Sequence, residues 1–293
     1  MESLIYLNLG GCTRLVSLPE FKLKSLKTLI LSHCKNFEQF PVISECLEAL
    51  YLQGTAIKCI PTSIENLQKL ILLDLKDCEV LVSLPDCLGN LRSLQELILS
   101  GCSKLKFFPE LKETMKSIKI LLLDGTAIKQ MPILLQCIQS QGHSVANKTL
   151  PNSLSDYYLP SSLLSLCLSG NDIESLHANI SQLYHLKWLD LKNCKKLKSV
   201  SVLPPNLKCL DAHGCDSLEE VGSPLAVLMV TGKIHCTYIF TNCNKLDQVA
   251  ESNIISFTWR KSQMMSDALN RYNGVCTILS PKKIQIMLRK YAV

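Results

Sequence analysis

Fifteen cysteines in 293 residues are enough for disulfides, a zinc site or thiol redox chemistry. Their spacing separates these uses. Zinc sites draw on paired ligands such as Cys-x-x-Cys, and no such pair occurs. Instead, Cys12, Cys34, Cys78, Cys102, Cys194 and Cys215 each stand five residues after a leucine, and Thr55, Thr126 and Asn171 hold the same place after Leu50, Leu121 and Leu166. Cysteine, threonine and asparagine share little as metal ligands, but all are compact and carry a hydrogen-bond donor. The preferred reading is a buried donor that satisfies a backbone carbonyl where the chain turns. Disulfides between Cys12 and Cys34, Cys78 and Cys102, or Cys194 and Cys215 stay open on distance. Neighbouring strands lie about 4.8 Å apart, inside the roughly 4.4–6.8 Å Cα window of a disulfide. Against them, thiols in one stacked column are poorly aimed at each other. The opening Met1-Glu2-Ser3-Leu4 also shows no signal peptide, which favours a reducing compartment.

Other chemistry is absent or weak in the sequence. Gly232-Lys233 lacks the upstream glycine of a phosphate-binding loop, and neither His-Glu-x-x-His nor Gly-x-Ser-x-Gly occurs. The six histidines are scattered singly. Asn147-Lys148-Thr149 and Asn179-Ile180-Ser181 match a short glycosylation pattern that means little without a signal peptide. The expectation is therefore no catalysis, no cofactor and no metal. A net charge of +6 is modest for this length, without the basic tract that binds nucleic acid. The cluster Lys192, Lys195, Lys196 and Lys198 reads as a solvated edge, with an acidic partner as the alternative. The apolar run from Leu225 to Val230 is far too short to span a membrane.

The elements that position the cysteines are repeats. Leu4-x-x-Leu7-x-Leu9-x-x-Cys12-x-x-Leu15-x-x-Leu18-Pro19 returns 22 positions later as Leu26-x-x-Leu29-x-Leu31-x-x-Cys34-x-x-Phe37-x-x-Phe40-Pro41. The slot of Leu7 continues through Leu29, Leu50, Leu73, Leu97, Leu121, Leu166, Leu189 and Leu210, in steps of 22, 21, 23, 24, 24, 45, 23 and 21. These are leucine-rich-repeat lengths, each unit a short strand plus an irregular or briefly helical return. The step of 45 predicts a degenerate unit within 133–160, giving about ten repeats. The fold class is α/β: a solenoid with a curved parallel sheet over residues 1–222 and a short, partly helical extension over 223–293. Helical spacing marks Lys245 to Tyr272, and the tail 274–293 is left open between an amphipathic helix and disorder.

Alternation at period two buries Leu7 and Leu9 and exposes Tyr6 and Asn8. Carried along the repeats, this places Tyr6, Asn8, Tyr51, Gln53, Asp74, Lys76, Glu96, Asp124, Trp188, Asp190, Asp211 and His213 on the outward, concave face, as candidate contacts for a protein. Trp188, Tyr6 and Tyr51 are the strongest anchors among them.

Units with this cysteine slot, mixed with the shorter Gly54-Thr55-Ala56-Ile57 and Gly125-Thr126-Ala127-Ile128 forms, resemble the repeats of plant intracellular immune receptors of the TIR, nucleotide-binding, leucine-rich-repeat class. Leu203-Pro204-Pro205-Asn206-Leu207 and Ile239 to Leu246 are similar to the segment where that class passes into a C-terminal jelly-roll-like domain, of which only the entrance is expected here. The resemblance implies a cytoplasmic location, with the nucleus as a second one. It also implies a protein ligand, either a pathogen effector or a guarded host protein, and a nucleotide-binding module as partner within a full receptor. Neither the TIR nor the nucleotide-binding module is recognisable, and the first residues already lie inside a repeat, so a truncated receptor or fragment is expected. A generic repeat adaptor, such as a substrate-recruiting subunit of a ubiquitin ligase, and a nonfunctional truncated product are the alternatives.

Overall fold

The structure is a computed structural model that describes residues 3–19, 23–41, 44–109, 117–129, 162–176, 178–201, 203–222 and 237–256. Ten three-residue strands form one parallel sheet. They are β1 (Tyr6–Asn8), β2 (Thr28–Ile30), β3 (Ala49–Tyr51), β4 (Leu72–Asp74), β5 (Glu96–Ile98), β6 (Ile120–Leu122), β7 (Ser165–Cys167), β8 (Trp188–Asp190), β10 (Cys209–Asp211) and β12 (Thr237–Ile239). On the returning side, β9 (Ser199–Val200) pairs with β11 (Glu220–Val221). Among the described residues, the other returns are irregular or make single 3-10 turns at Thr62–Asn66, Asp86–Asn90 and Ala178–Gln182. Pro61 and Pro85 open two of these turns at φ −69° and −74°. Both values lie in the range that the proline ring enforces, so the Ile-Pro and Leu-Pro steps set where the return begins.

Strand register follows the leucine slot without slippage: Leu7, Leu29, Leu50, Leu73, Leu97, Leu121, Leu166, Leu189 and Leu210 are successive partners across the sheet, and Tyr238 extends the row. A one-residue slip would turn every leucine to solvent, so the apolar column fixes the pairing. From Leu29 to Leu210 the column is completely or almost completely buried, whereas Leu4, Leu7, Leu9 and Leu15 of the first coil are only partly covered. Each coil thus depends on its neighbours for its core.

Across the step of 45 residues, β6 pairs directly with β7. Leu123 N–H donates to Cys167 O at 2.9 Å and Gly125 N–H to Ser169 O at 2.8 Å, continuing the ladder past the strand ends. Residues 130–161 lie outside the described residues. The sheet also runs beyond residue 222, because β12 is its last strand. Beyond it, residues 248–256 are helical. Asp247 caps this helix, accepting the Ala250 N–H at 2.6 Å, and Ala250 and Ile254 bury its inner face. The rest of the expected helical stretch to Tyr272 and the tail 274–293 lie outside the described residues.

The cysteine slot is a ladder of side-chain donors. Cys34 Sγ donates to Leu9 O at 3.1 Å, Cys78 to Leu52 O at 3.1 Å, Cys102 to Leu75 O at 3.1 Å, Cys194 to Leu168 O at 3.2 Å and Cys215 to Leu191 O at 3.2 Å. Every thiol reaches one coil back. The threonine hydroxyls meet a carbonyl of their own coil, Thr55 with Leu52 O at 2.8 Å and Thr126 with Leu123 O at 3.0 Å, and Thr126 Oγ1 also lies 2.6 Å from Asn171 Oδ1 of the next coil. Asn171 does both, donating to Leu123 O at 2.7 Å and Leu168 O at 2.9 Å. Cys243 Sγ donates to Ala212 O at 3.2 Å, which adds a rung beyond the nine slots of the leucine register.

Burial pushes the spine thiols up, to about 12 for Cys102 and Cys194 from an ordinary 9.0. Such thiols are poor nucleophiles at neutral pH. Alkylation of the native protein is expected to label exposed Cys12 and Cys59 quickly and the buried cysteines Cys78, Cys102, Cys194 and Cys215 only after unfolding. The raised values also give a sign. Between about pH 9 and 12 the folded state holds protons that the unfolded state has lost, so this contribution is complete below pH 9 and declines as pH rises. A pH titration of urea stability reads it, and a rise in stability contributed by these thiols over that window would contradict their burial.

Immediately before the donor slot, every described coil holds one residue in the left-handed region. Gly11, Gly54, Gly101, Gly125, Gly170 and Gly214 alternate there with His33, Asp77, Asn193 and Asn242, at φ between 55° and 77°. Glycine enters this region without strain, and asparagine and aspartate do so more readily than other side chains. The column is what turns the chain from strand to return, and it places the donor beneath the preceding coil.

Candidate recognition surface

The outer sheet face consists of three rows running along the stack. Tyr6, Glu96 and Trp188 belong to the first row, in register through Thr28, Ala49, Leu72, Ile120 and Ser165. Asn8, Tyr51, Asp74, Asp190 and Asp211 belong to the second, with Ile30, Ile98, Leu122, Cys167 and Ile239 at the same level. Gln53, Lys76, Asp124 and His213 form a third row just past the strand ends. The candidates therefore share one face but not one line. Hydrophobic alternation identifies the face and leaves the strand end undefined.

What ends the strand is visible in the second row. Asn8 Oδ1 accepts the Gly10 N–H at 2.9 Å, Asp74 Oδ1 the Lys76 N–H at 2.9 Å, Asp190 Oδ1 the Lys192 N–H at 3.0 Å and Asp211 Oδ1 the His213 N–H at 3.0 Å. These are Asx turns, in which a short polar side chain captures the backbone two residues on. The four side chains thus have a structural task of their own. Burial raises the Asp74 carboxyl above its ordinary range, with the Lys76 N–H opposing that rise.

The polar groups of the later coils are linked into a network. Lys192 Nζ lies 3.5 Å from Asp190 Oδ2 and 3.3 Å from Asp211 Oδ2. The Asp211 carboxylate is the main reason that the Lys192 ammonium is held above its usual value. His213 Nδ1 and Thr241 Oγ1 are 2.6 Å apart, and Ser100 Oγ donates to Asp124 Oδ1 at 2.5 Å. Lys196 contacts Asp172 at 2.6 Å and Lys198 contacts Glu174 at 3.6 Å. Three members of the lysine cluster thus meet carboxylates of adjacent coils, as a solvated edge does. Exposed pairs of this kind contribute little stability.

The aromatic candidates differ in what they offer. Trp188 and Tyr6 are half exposed, at 50% and 54%, while Tyr51 is partly covered. Around Tyr51, the half-buried Ile30, Ile98, Ile120 and Leu122 make an apolar strip across β2 to β6. Glu96, Asp74, Asp124, Asp190 and Asp211 outnumber Lys76 and Lys192, so the face is acidic on a chain whose net charge is +6. Among the described residues no helix is long and apolar enough to cross a membrane.

No protein-family model matches the chain. Individual proteins do. Disease resistance protein RPS4B of Arabidopsis thaliana is 48% identical over 277 residues, an alignment that covers 93% of this chain and 21% of that protein. The chain is a leucine-rich-repeat relative of the plant TIR-type disease resistance proteins. Disease resistance-like protein CSA1, also 48% identical over 277 residues, covers 94% of this leucine-rich-repeat chain and 21% of its own length. Disease resistance protein RPP2B is 47% identical over 288 residues, covering 89% and 24% respectively. Both come from Arabidopsis thaliana. The chain therefore spans about a fifth of the length of the curated relatives it matches. Among solved structures, a leucine-rich-repeat protein of Leptospira interrogans superposes with a TM-score of 0.52 at 21% identity, over 80% of this chain and 59% of that one. That likeness supports the leucine-rich-repeat fold and nothing more.

Proposed function

We propose that this chain is the protein-recognition part of a plant intracellular immune receptor. It reads a pathogen effector, or a host protein that an effector alters, and restrains the receptor until that protein is bound. One observation carries the reading. Inward residues of the ten registered strands are almost uniformly leucine, while the outward ones change from Tyr6 to Glu96 to Trp188 along a single row. A face that varies over an invariant core suits selective protein contact, and half-exposed tryptophan and tyrosine are the residue types that anchor such contacts. In this reading the work is non-catalytic, the location is the cytoplasm with the nucleus as a second site, and a nucleotide-binding module of the complete receptor is the internal partner.

The test replaces Trp188 and Tyr51 by alanine in a complete receptor that carries these repeats. Trp188 is 50% exposed, so its removal should leave the unfolding midpoint almost unchanged. Recognition, read as partner binding and the cell-death response, should fall by roughly tenfold or more. Unchanged recognition by both variants would remove the outer face from the site.

A further inference from the structure

Phe107 is the most exposed large apolar side chain among the described residues, at 80%. It lies on the returning edge of the coil built on β5, away from the outer sheet face. Ser17, Gln39, Cys59 and Ser83 occupy its place in the first four coils, where Ser17 bridges Gln39 and Cys59 bridges Ser83. The core gains nothing from Phe107, because the next residue, Phe108, supplies the ring that packs inward.

Exposed lysines stand on the same coil and on coils to either side. Lys104 and Lys106 belong to the same coil, Lys58 stands two coils before it and Lys129 one coil after. Adjacent coils are held in register here, with Val82 N–H donating to Lys58 O and Ala127 N–H to Leu105 O, each at 2.9 Å. Among the described residues none of these four lysines has an ion pair. The same edge further along is built differently, since Lys196 and Lys198 are matched by Asp172 and Glu174. Among the described residues, the lysines of one stretch are thus matched by carboxylates, while those of the stretch that also exposes an aromatic ring make no ion pair.

We propose that this edge is a second docking surface, which takes an acidic protein segment with an apolar side chain set against Phe107. The dimensions fit a peptide in the polyproline II form. At about 4.8 Å per coil, Lys58 and Lys106 are roughly 10 Å apart. That form turns once every three residues with a rise of about 3.1 Å each, so carboxylates three residues apart share one side at a spacing of about 9 Å and would meet both lysines. Phe107 adjoins Lys106 and so lies at one end of this span. A nucleic acid fits less well, because binding a single strand draws on several aromatic platforms for successive bases, and Phe107 is one ring. One ring is also too little apolar surface for a membrane. This surface goes beyond the proposed function, which uses the opposite side of the coil.

Fluorescence anisotropy on the 293-residue chain tests it, with a glutamate–tyrosine copolymer as probe and polyglutamate for comparison. The copolymer should bind more tightly than polyglutamate, and binding should weaken as salt screens the lysines. Phe107→Ala should weaken copolymer binding roughly tenfold. Joint replacement of Lys58, Lys104, Lys106 and Lys129 by glutamine should abolish it, whereas Lys69→Gln should not. All these side chains are exposed, so unchanged thermal unfolding confirms that the variants are folded. Failure of the copolymer to bind at low salt, or equal binding by Phe107→Ala, would overturn the proposal. So would tighter binding of single-stranded DNA or phosphatidylserine vesicles through the same four lysines.

Discussion

Gly101→Ala is expected to destabilise the chain by about 2–3 kcal/mol, although it adds a single methyl group near the surface. The left-handed φ of +77° accounts for roughly 1–2 kcal/mol of that in any residue with a Cβ. The remainder comes from the coil before it. A Cβ at residue 101 would overlap Asp77 Oδ1 and stand 3.4 Å from Asp77 Cα, because the Asp77 side chain lies over the glycine. The column repeats this arrangement with Asn193 over Gly214 and His33 over Gly54. Where one coil carries a side chain in the left-handed slot, the next carries glycine. In an Asp77→Gly background the penalty of Gly101→Ala should therefore shrink by about 1 kcal/mol, a coupling that a double-mutant cycle in urea can resolve. Equal penalties in both backgrounds would show that the two positions do not touch.

Asn171→Leu is the second large effect, expected to cost roughly 2–4 kcal/mol. Asn171 is 1% exposed and joins β6 to β7, the two strands that are adjacent in space across the 45-residue step. Besides its two donor bonds, its Oδ1 accepts the Ile128 N–H at 3.2 Å and lies 2.6 Å from Thr126 Oγ1. Leucine of similar size would leave the Ile128 N–H without its side-chain acceptor and remove the bridge between coils. Asn171→Cys separates the two roles. A cysteine in this slot reaches the carbonyl one coil back, as Cys78 and Cys102 do, but offers no comparable acceptor. It should recover about half of the loss. If leucine and cysteine behaved alike, or if leucine were neutral, the donor ladder would have no energetic role at this junction.

Much of this was legible in the sequence, because the repeat fixes residue environments directly. The spacing of Leu7, Leu9 and Cys12 identified strand, core face and donor slot, and hydrogen bonds from Cys34 to Cys215 agree with the donor reading. Three features were not read. The left-handed column was present as a residue placed before each donor, Gly11 before Cys12 and Gly54 before Thr55, but His33, Asp77 and Asn193 hide it until φ is known. The second-row Asx turns are not legible in the sequence, since Asp74 and Asp211 look the same whether they await a partner or close a strand. The direct pairing of β6 with β7 is not legible from the sequence, because a step of 45 residues does not say which strands are neighbours. The role of the outer face is a different matter. Register places Trp188 and Tyr51 on it, while what they contact depends on a molecule outside the chain.

The most direct test of a recognition role is crosslinking from that face. A photo-reactive amino acid at position 188 of a complete receptor, with the exposed position of Lys69 as control, reports which proteins lie against each side of the stack. The account predicts a discrete protein adduct from position 188 that appears with the activating effector and is lost when Tyr51 is replaced by alanine. The same adduct from position 69, or none from position 188 in a receptor that still responds, would contradict it.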